Sequence, residues 1–292
     1  MAVNYQREFL TLAHNKDGKP PVVYKVALHH WGNKNNANKL FCIHGLTRNA
    51  RDFDFVAEPL TDKYHVIGVD VVGRGESDWA DDKLCYNYDT YFDDMAQIIE
   101  QLKFEKINIL GTSMGGLIGM GMSARYPGLI DKILLNDIGT IVPKEALVRI
   151  IKYIPMTPEF RSFAEAKDFF KIILMNFGIK EEDHWDHIVT HSIKMNAKGT
   201  FTFVYDPGIA VAFQALAADK VEDVNIREEW KKVNFSQMMI IHAEKSDVLL
   251  KDDVEFMVKS KPNISSITFN GIGHAPALVN EYEIKSVCDF FL

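Results

Sequence analysis

The chain has 292 residues, 47% of them hydrophobic and 25% charged, which gives enough apolar material for one large α/β domain with an insertion or for two small domains. A formal net charge of −7, with basic residues scattered and none clustered beyond Lys231-Lys232, argues against a nucleic-acid or anionic-membrane partner. The first ten residues lack the apolar run of a secretory signal, no stretch is apolar for long enough to insert into a membrane, and Cys42, Cys85 and Cys288 are too dispersed for a disulfide framework or a zinc site; a reducing cytoplasm is the expected compartment.

Taken in order, residues 22–30 and 40–44 read as early strands, with residues 33–38 as the polar turn between them. Residues 65–70 form a short buried strand ending in a carboxylate, and Tyr91, Met95, Ile98 and Leu102 give helical spacing over 88–102. The remaining core strands are expected at 107–110, 130–135, 238–241 and 264–269, and a final helix at 281–290. Strands alternating with helices of this length imply a mostly parallel sheet covered on both faces. Between them, residues 139–222 carry helical stretches near 145–153, 163–177 and 183–195, broken by Pro155, Pro158, Gly178, Gly199 and Asp206-Pro207-Gly208. The expected organisation is therefore a core made of residues 1–138 and 223–292, with 139–222 as a helical insertion over the carboxyl ends of the strands. No internal repeat or low-complexity tract is visible.

The most informative motif is Gly111-Thr112-Ser113-Met114-Gly115-Gly116, between the strand at 107–110 and an apolar helical run. Glycine two residues to either side lets a serine sit on a sharp, strained strand-to-helix turn with its hydroxyl exposed. A serine hydroxyl needs a base within hydrogen-bond reach and an acid to orient that base. His274, between the last core strand and the last helix, is the candidate base. His14, His29, His30 and His65 lie on early strands or turns. His184, His187 and His191 have metal-like spacing but read as ordinary helix residues, so no metal is expected. Two aspartates compete for the acid: Asp247, on the loop after strand 238–241, and Asp137, at the end of strand 130–135. Asp247 is preferred, because it gives the chain order Ser, Asp, His and leaves a loop free to reach the histidine.

For the developing oxyanion the candidate donors are the backbone amides of Leu46, after His44-Gly45, and of Met114, at a helix N-terminus. His44 itself reads as a structural residue. Arg48 and Asn49 could touch a substrate, although an i,i+4 salt bridge from Arg48 to Asp52 is the favoured account. Arg74 and Asp78 read as residues that fix the shape of their glycine-rich loop. No Lys-Ser/Thr follows those glycines, so nucleotide binding is unsupported and no cofactor is expected.

His44-Gly45, Asp70 with Gly73-Arg74-Gly75-Glu76-Ser77-Asp78, the Gly111 to Gly116 turn, Asn136-Asp137-Ile138-Gly139, Asp247 and Gly273-His274 together resemble the α/β-hydrolase fold superfamily, in its serine-nucleophile branch. The resemblance implies a mostly parallel eight-stranded sheet with helices on both faces, a helical lid inserted after the sixth strand, and a Ser113-His274-Asp247 triad. Serine at the nucleophile position disfavours dehalogenases and epoxide hydrolases. The expected activity is hydrolysis of a small to medium apolar carboxylic ester through an acyl-enzyme, as in carboxylesterases. A carbon-carbon bond hydrolase of the meta-cleavage type is the first alternative, weakened by Ala275-Pro276 after His274. A non-catalytic ligand-binding member of the fold is the second. Aromatics of the insertion, Phe169, Phe170, Phe177, Trp185, Phe201, Phe203 and Tyr205, supply its core and part of an apolar pocket.

Overall fold

Alternation along the strands sets the architecture. In Leu40-Phe41-Cys42-Ile43, Leu40 and Cys42 join one buried apolar cluster while Phe41 and Ile43 join the other, so the strand is covered on both sides. The computed structural model describes residues 4–16, 19–211 and 221–292. Its main sheet has eight strands: β1 (Tyr5–Lys16), β2 (Lys19–Trp31), β3 (Asn38–Ile43), β4 (Tyr64–Val69), β5 (Ile107–Thr112), β6 (Ile130–Asn136), β7 (Gln237–Ala243) and β8 (Ile264–Phe269). They lie in the order β1-β2-β4-β3-β5-β6-β7-β8. β1 and β2 run antiparallel to their neighbours and the other six are mutually parallel. The expected mostly parallel, eight-stranded α/β sheet is thus present.

Among the described residues the longer helices are α1 (Asp54–Leu60), α2 (Tyr88–Gln101), α3 (Met114–Arg125), α4 (Lys144–Tyr153), α5 (Phe163–Ile173), α6 (Glu182–Ser192), α7 (Lys251–Ser260) and α8 (Glu281–Phe291). Val56 and Leu60 of α1 share one cluster with Val287 and Phe291 of α8. Met95 and Ile98 of α2, Ile118 and Met122 of α3 and Val254 and Met257 of α7 share the other.

Between β6 and β7 the described chain adds no strand to the main sheet. It contains α4 to α6, a short antiparallel pair of 193–195 with 201–203, and a second pair joining Ile141-Val142 to Val224-Asn225. The second pair holds the two ends of the segment side by side. Residues 212–220 of the expected 139–222 insertion lie outside the described residues. The segment bonds to loops at the carboxyl ends of the core strands: Asn49 Nδ2 donates to the His191 carbonyl, Gly273 N to Asn176 and Ala277 N to Phe177.

Three expectations shift. β1 had no reading as a strand, because its alternation is diluted by charged residues and emerges only on pairing with β2 from Tyr5–Trp31 onward. The helix expected over 183–195 ends at Ser192, where Ile193 turns extended (φ −127°, ψ 154°) to enter the hairpin. The helix expected to reach 177 stops at Ile173.

Candidate active site

The turn after β5 places Ser113 at φ 52°, ψ −116°, a positive φ that a non-glycine residue adopts only under constraint. The constraint comes from packing. A Cβ at Gly115 would lie 2.0 Å from the Ile43 carbonyl oxygen, and one at Gly111 2.6 Å from the backbone of Gly115. Glycine therefore lets α3 press against β3 and β5, and Ser113 is left at the corner. Gly116 N and Leu117 N bond back to the Ser113 carbonyl. Met114 and Gly115 thus carry the leading amides of α3, which have no partner within the helix.

Ser113 Oγ lies 2.8 Å from His274 Nε2, and His274 Nδ1 lies 2.8 Å from Asp137 Oδ2. Asp137, fully buried, accepts at that oxygen, so Nδ1 carries the proton and Nε2 is left as the acceptor for the serine hydroxyl. Asp137 is itself held in place: its amide donates to the Ile241 carbonyl and its Oδ1 accepts from Ala243 N. Its φ of 58° is one that aspartate tolerates better than most residues.

The structure does not bring Asp247 to His274. Asp247 is 46% exposed and forms a two-pronged ion pair with Arg149 of α4, at 2.6 and 2.8 Å. The turn after β7 is the reason. Ser246 N bonds back to Ala243, and the Ser246 hydroxyl accepts the amides of Val248 and Leu249, which carries residue 247 outward. Asp137 follows directly from the end of β6 and needs no such excursion.

Near Ser113 lies the 44–46 loop, since a Cβ on Gly45 would meet Ser113 Cβ at 3.8 Å. His44 is structural: its Nε2 accepts from Val71 N and its Nδ1 bonds the Gly45 carbonyl, and burial pushes its pKa down to about 4, which keeps it neutral. Arg74, fully buried, donates to the Leu46 carbonyl and to Met114 Sδ, so one guanidinium braces both expected oxyanion residues. Asp78 fixes its loop by accepting from Lys25 N. Arg48, whose Cγ is as close to a Cβ built on Gly45 as Ser113 Cβ is, turns its guanidinium to Asp52 at 2.5 and 2.8 Å and to Ser192 of α6, the favoured account. The buried Asp70 carboxylate bonds the amides of Ala50 and Glu76; burial alone would raise it, but His29, with His44 and the Ala50 amide, holds it below the usual range.

Asn136 escaped the sequence reading as a site residue. Its carbonyl accepts from Ser113 N, and its side-chain Nδ2 donates to Thr112 Oγ1 and to the Pro276 carbonyl. One fully buried amide thus ties the serine turn to the histidine loop. The only available signal was its place beside Asp137 at a strand end.

Comparison with known proteins bears on the fold that carries these residues. A model of the alpha/beta hydrolase fold matches residues 38–170. A 3-hydroxybutyrate-oligomer hydrolase from Cupriavidus necator is 34% identical over 278 residues, covering 93% of this chain and 94% of that protein. Among solved structures, a protein from Rickettsia typhi superposes with a TM-score of 0.90 at 31% identity, with 98% of each chain covered. An alpha/beta hydrolase from Novosphingobium aromaticivorans gives 0.82 at 26%, with 97% of each covered.

Proposed function

We propose, from the premise that this chain belongs to the α/β-hydrolase family and is a hydrolase, that it cleaves carboxylic esters through an acyl-enzyme on Ser113. The observation that carries the reading is the unbroken relay from Ser113 Oγ through His274 to the buried Asp137. As Oγ attacks the ester carbonyl, its proton passes to Nε2, and Asp137 balances the imidazolium. The oxyanion meets the amides of Leu46 and Met114, each worth about 3 kcal/mol of transition-state stabilisation. His274 then returns the proton to the leaving alkoxide. It next takes one from water, which attacks the acyl carbonyl, and gives that proton to Ser113 Oγ as the acyl–oxygen bond breaks, freeing the acid and the serine.

The substrate class proposed is a small to medium ester, with linear oligoesters of a short hydroxy acid the first to try, after the activity named for the Cupriavidus necator relative. The segment between β6 and β7 is assigned the role of a lid, because it bonds to the loops that carry Asn49 and His274. The test is a panel of p-nitrophenyl esters of graded acyl length together with 3-hydroxybutyrate dimer and trimer, run on wild type and Ser113→Ala. Turnover that falls about 10⁴- to 10⁶-fold in the variant is expected. A folded wild type inert to every ester, or a variant that keeps full activity, refutes the reading.

A further inference from the structure

The helix α6 carries a histidine pair that the reaction does not use. His187 and His191 are four residues apart, hence one turn apart on one face, with ring centroids 4.7 Å from each other. Facing them from the first turn of α1 is Asp54. One ligand atom from each of the three side chains lies within 4.8 Å of the other two. We propose that Asp54, His187 and His191 form a site for a divalent first-row transition metal, best suited to Zn²⁺, that fastens α6 to the core at α1.

One donor pair already has the spacing the ion needs, and the third donor lies within 4.8 Å of both. His187 Nε2 and Asp54 Oδ2 are 3.2 Å apart. Two donors on a tetrahedral Zn²⁺ with bonds of roughly 2.0 Å are separated by about 3.3 Å. Among the described residues nothing hydrogen-bonds the His191 ring, which packs edge-on against His187. The neutral form of an imidazole is the one that ligates a metal. His187 Nε2 meets the Arg51 carbonyl at 3.0 Å as well as Asp54, a hydrogen bond that an ion at that nitrogen would replace. Two imidazoles and one carboxylate favour Zn²⁺, Co²⁺ or Ni²⁺ over the oxygen-seeking Ca²⁺ and Mg²⁺.

Access and charge shape the site further. His191 lines a cleft of about 540 Å³, shared with Asn49, Arg51, Trp79 and Lys194, through which an ion and its remaining water ligand can enter. Arg51 bonds both carboxylate oxygens of Asp54, at 2.5 to 3.0 Å, and remains as a like charge beside the ion. The site is accordingly weaker than a closed structural zinc centre. In this respect it resembles an adjustable clasp between α6 and the core.

The test is calorimetric titration of Zn²⁺ into chelator-treated, full-length protein carrying Ser113→Ala, so that the result does not depend on ester turnover. One equivalent is expected to bind, with affinity reduced by more than about tenfold in His187→Ala, His191→Ala and Asp54→Asn, each shown folded by circular dichroism. His184→Ala, which removes an imidazole from the same helix outside the set, should bind like the parent. Absorption of the Co²⁺-loaded protein supplies a signature of tetrahedral nitrogen and oxygen ligation. Saturable binding that survives His191→Ala, or no saturable binding by the folded parent, overturns the proposal.

Discussion

The edge of the sheet and the helical segment beside it are built by different means. At the edge, Ser113, Asp137 and His274 follow β5, β6 and β8, and β7 between the last two clamps Asp137 through Ile241 and Ala243. Backbone hydrogen bonds and glycines without room for a Cβ hold that corner. The segment has a few backbone bonds to the core, at Asn176 and Phe177, and adds many side-chain contacts: Arg149 on Asp247, Arg48 on Ser192, and a ring cluster of Phe160, Phe169, Phe170 and Phe203. It also leaves Ile172, Met175 and Met195 more than 60% exposed, whereas the residues flanking Ser113 are closely packed. The contrast teaches that the Ser113-His274-Asp137 arrangement is fixed by strand order, while the neighbouring segment is tuned by contacts that single substitutions can alter.

The strongest way to break this comparison is to remove the buried carboxylate and the exposed one separately. Asp137→Asn should lower kcat about 10⁴-fold, by favouring the wrong imidazole tautomer. Asp247→Asn should change it by less than about twofold. The opposite ranking in an ester assay would return the acid to the loop after β7. Next is Asn136→Ala, which leaves Thr112 and Pro276 without their shared donor. A loss of about 1–3 kcal/mol in a urea titration is expected. It should be joined by a kcat decrease of up to about 100-fold with KM little changed, since the reacting groups are displaced.

A third expectation concerns acid. Burial pushes His30 and His44 down to about 4, so below their ordinary value of 6.5 the unfolded chain takes up protons that the native one refuses. Stability is therefore full above that value and falls as pH drops from 6.5 toward 4. Each histidine contributes at most about 1.4 kcal/mol per pH unit, visible as a lower urea midpoint near pH 5 than near pH 7.5. The smallest effect is expected for Arg149→Ala. It breaks a half-exposed pair and should cost less than about 1 kcal/mol in the same titration.

The corner at Ser113 was legible in the sequence because its causes are local. Glycines two residues to either side, a β-branched strand before and an apolar helix after are all contained within residues 107–122. His274 was legible for a similar reason, as it sits between the last strand and the last helix. The acid was not. Asp137 and Asp247 both lie between Ser113 and His274 in the chain, so the order Ser, Asp, His never separated them. What decides is the path of the turn after β7, closed by Ser246 and drawn toward Arg149, a residue nearly a hundred positions away.

The amino-acid pattern alone determined the alternation of strands and helices, the strained serine and the histidine that faces it, because propensity, periodicity and tight turns act over a few residues. Tertiary structure alone decided which carboxylate completes the relay, that Asn136 and Arg74 brace it, that β1 exists, and that Asp54 meets the α6 histidines. Apart from the turn end of the β1–β2 hairpin, those contacts join residues far apart in the chain, and only packing brings them together.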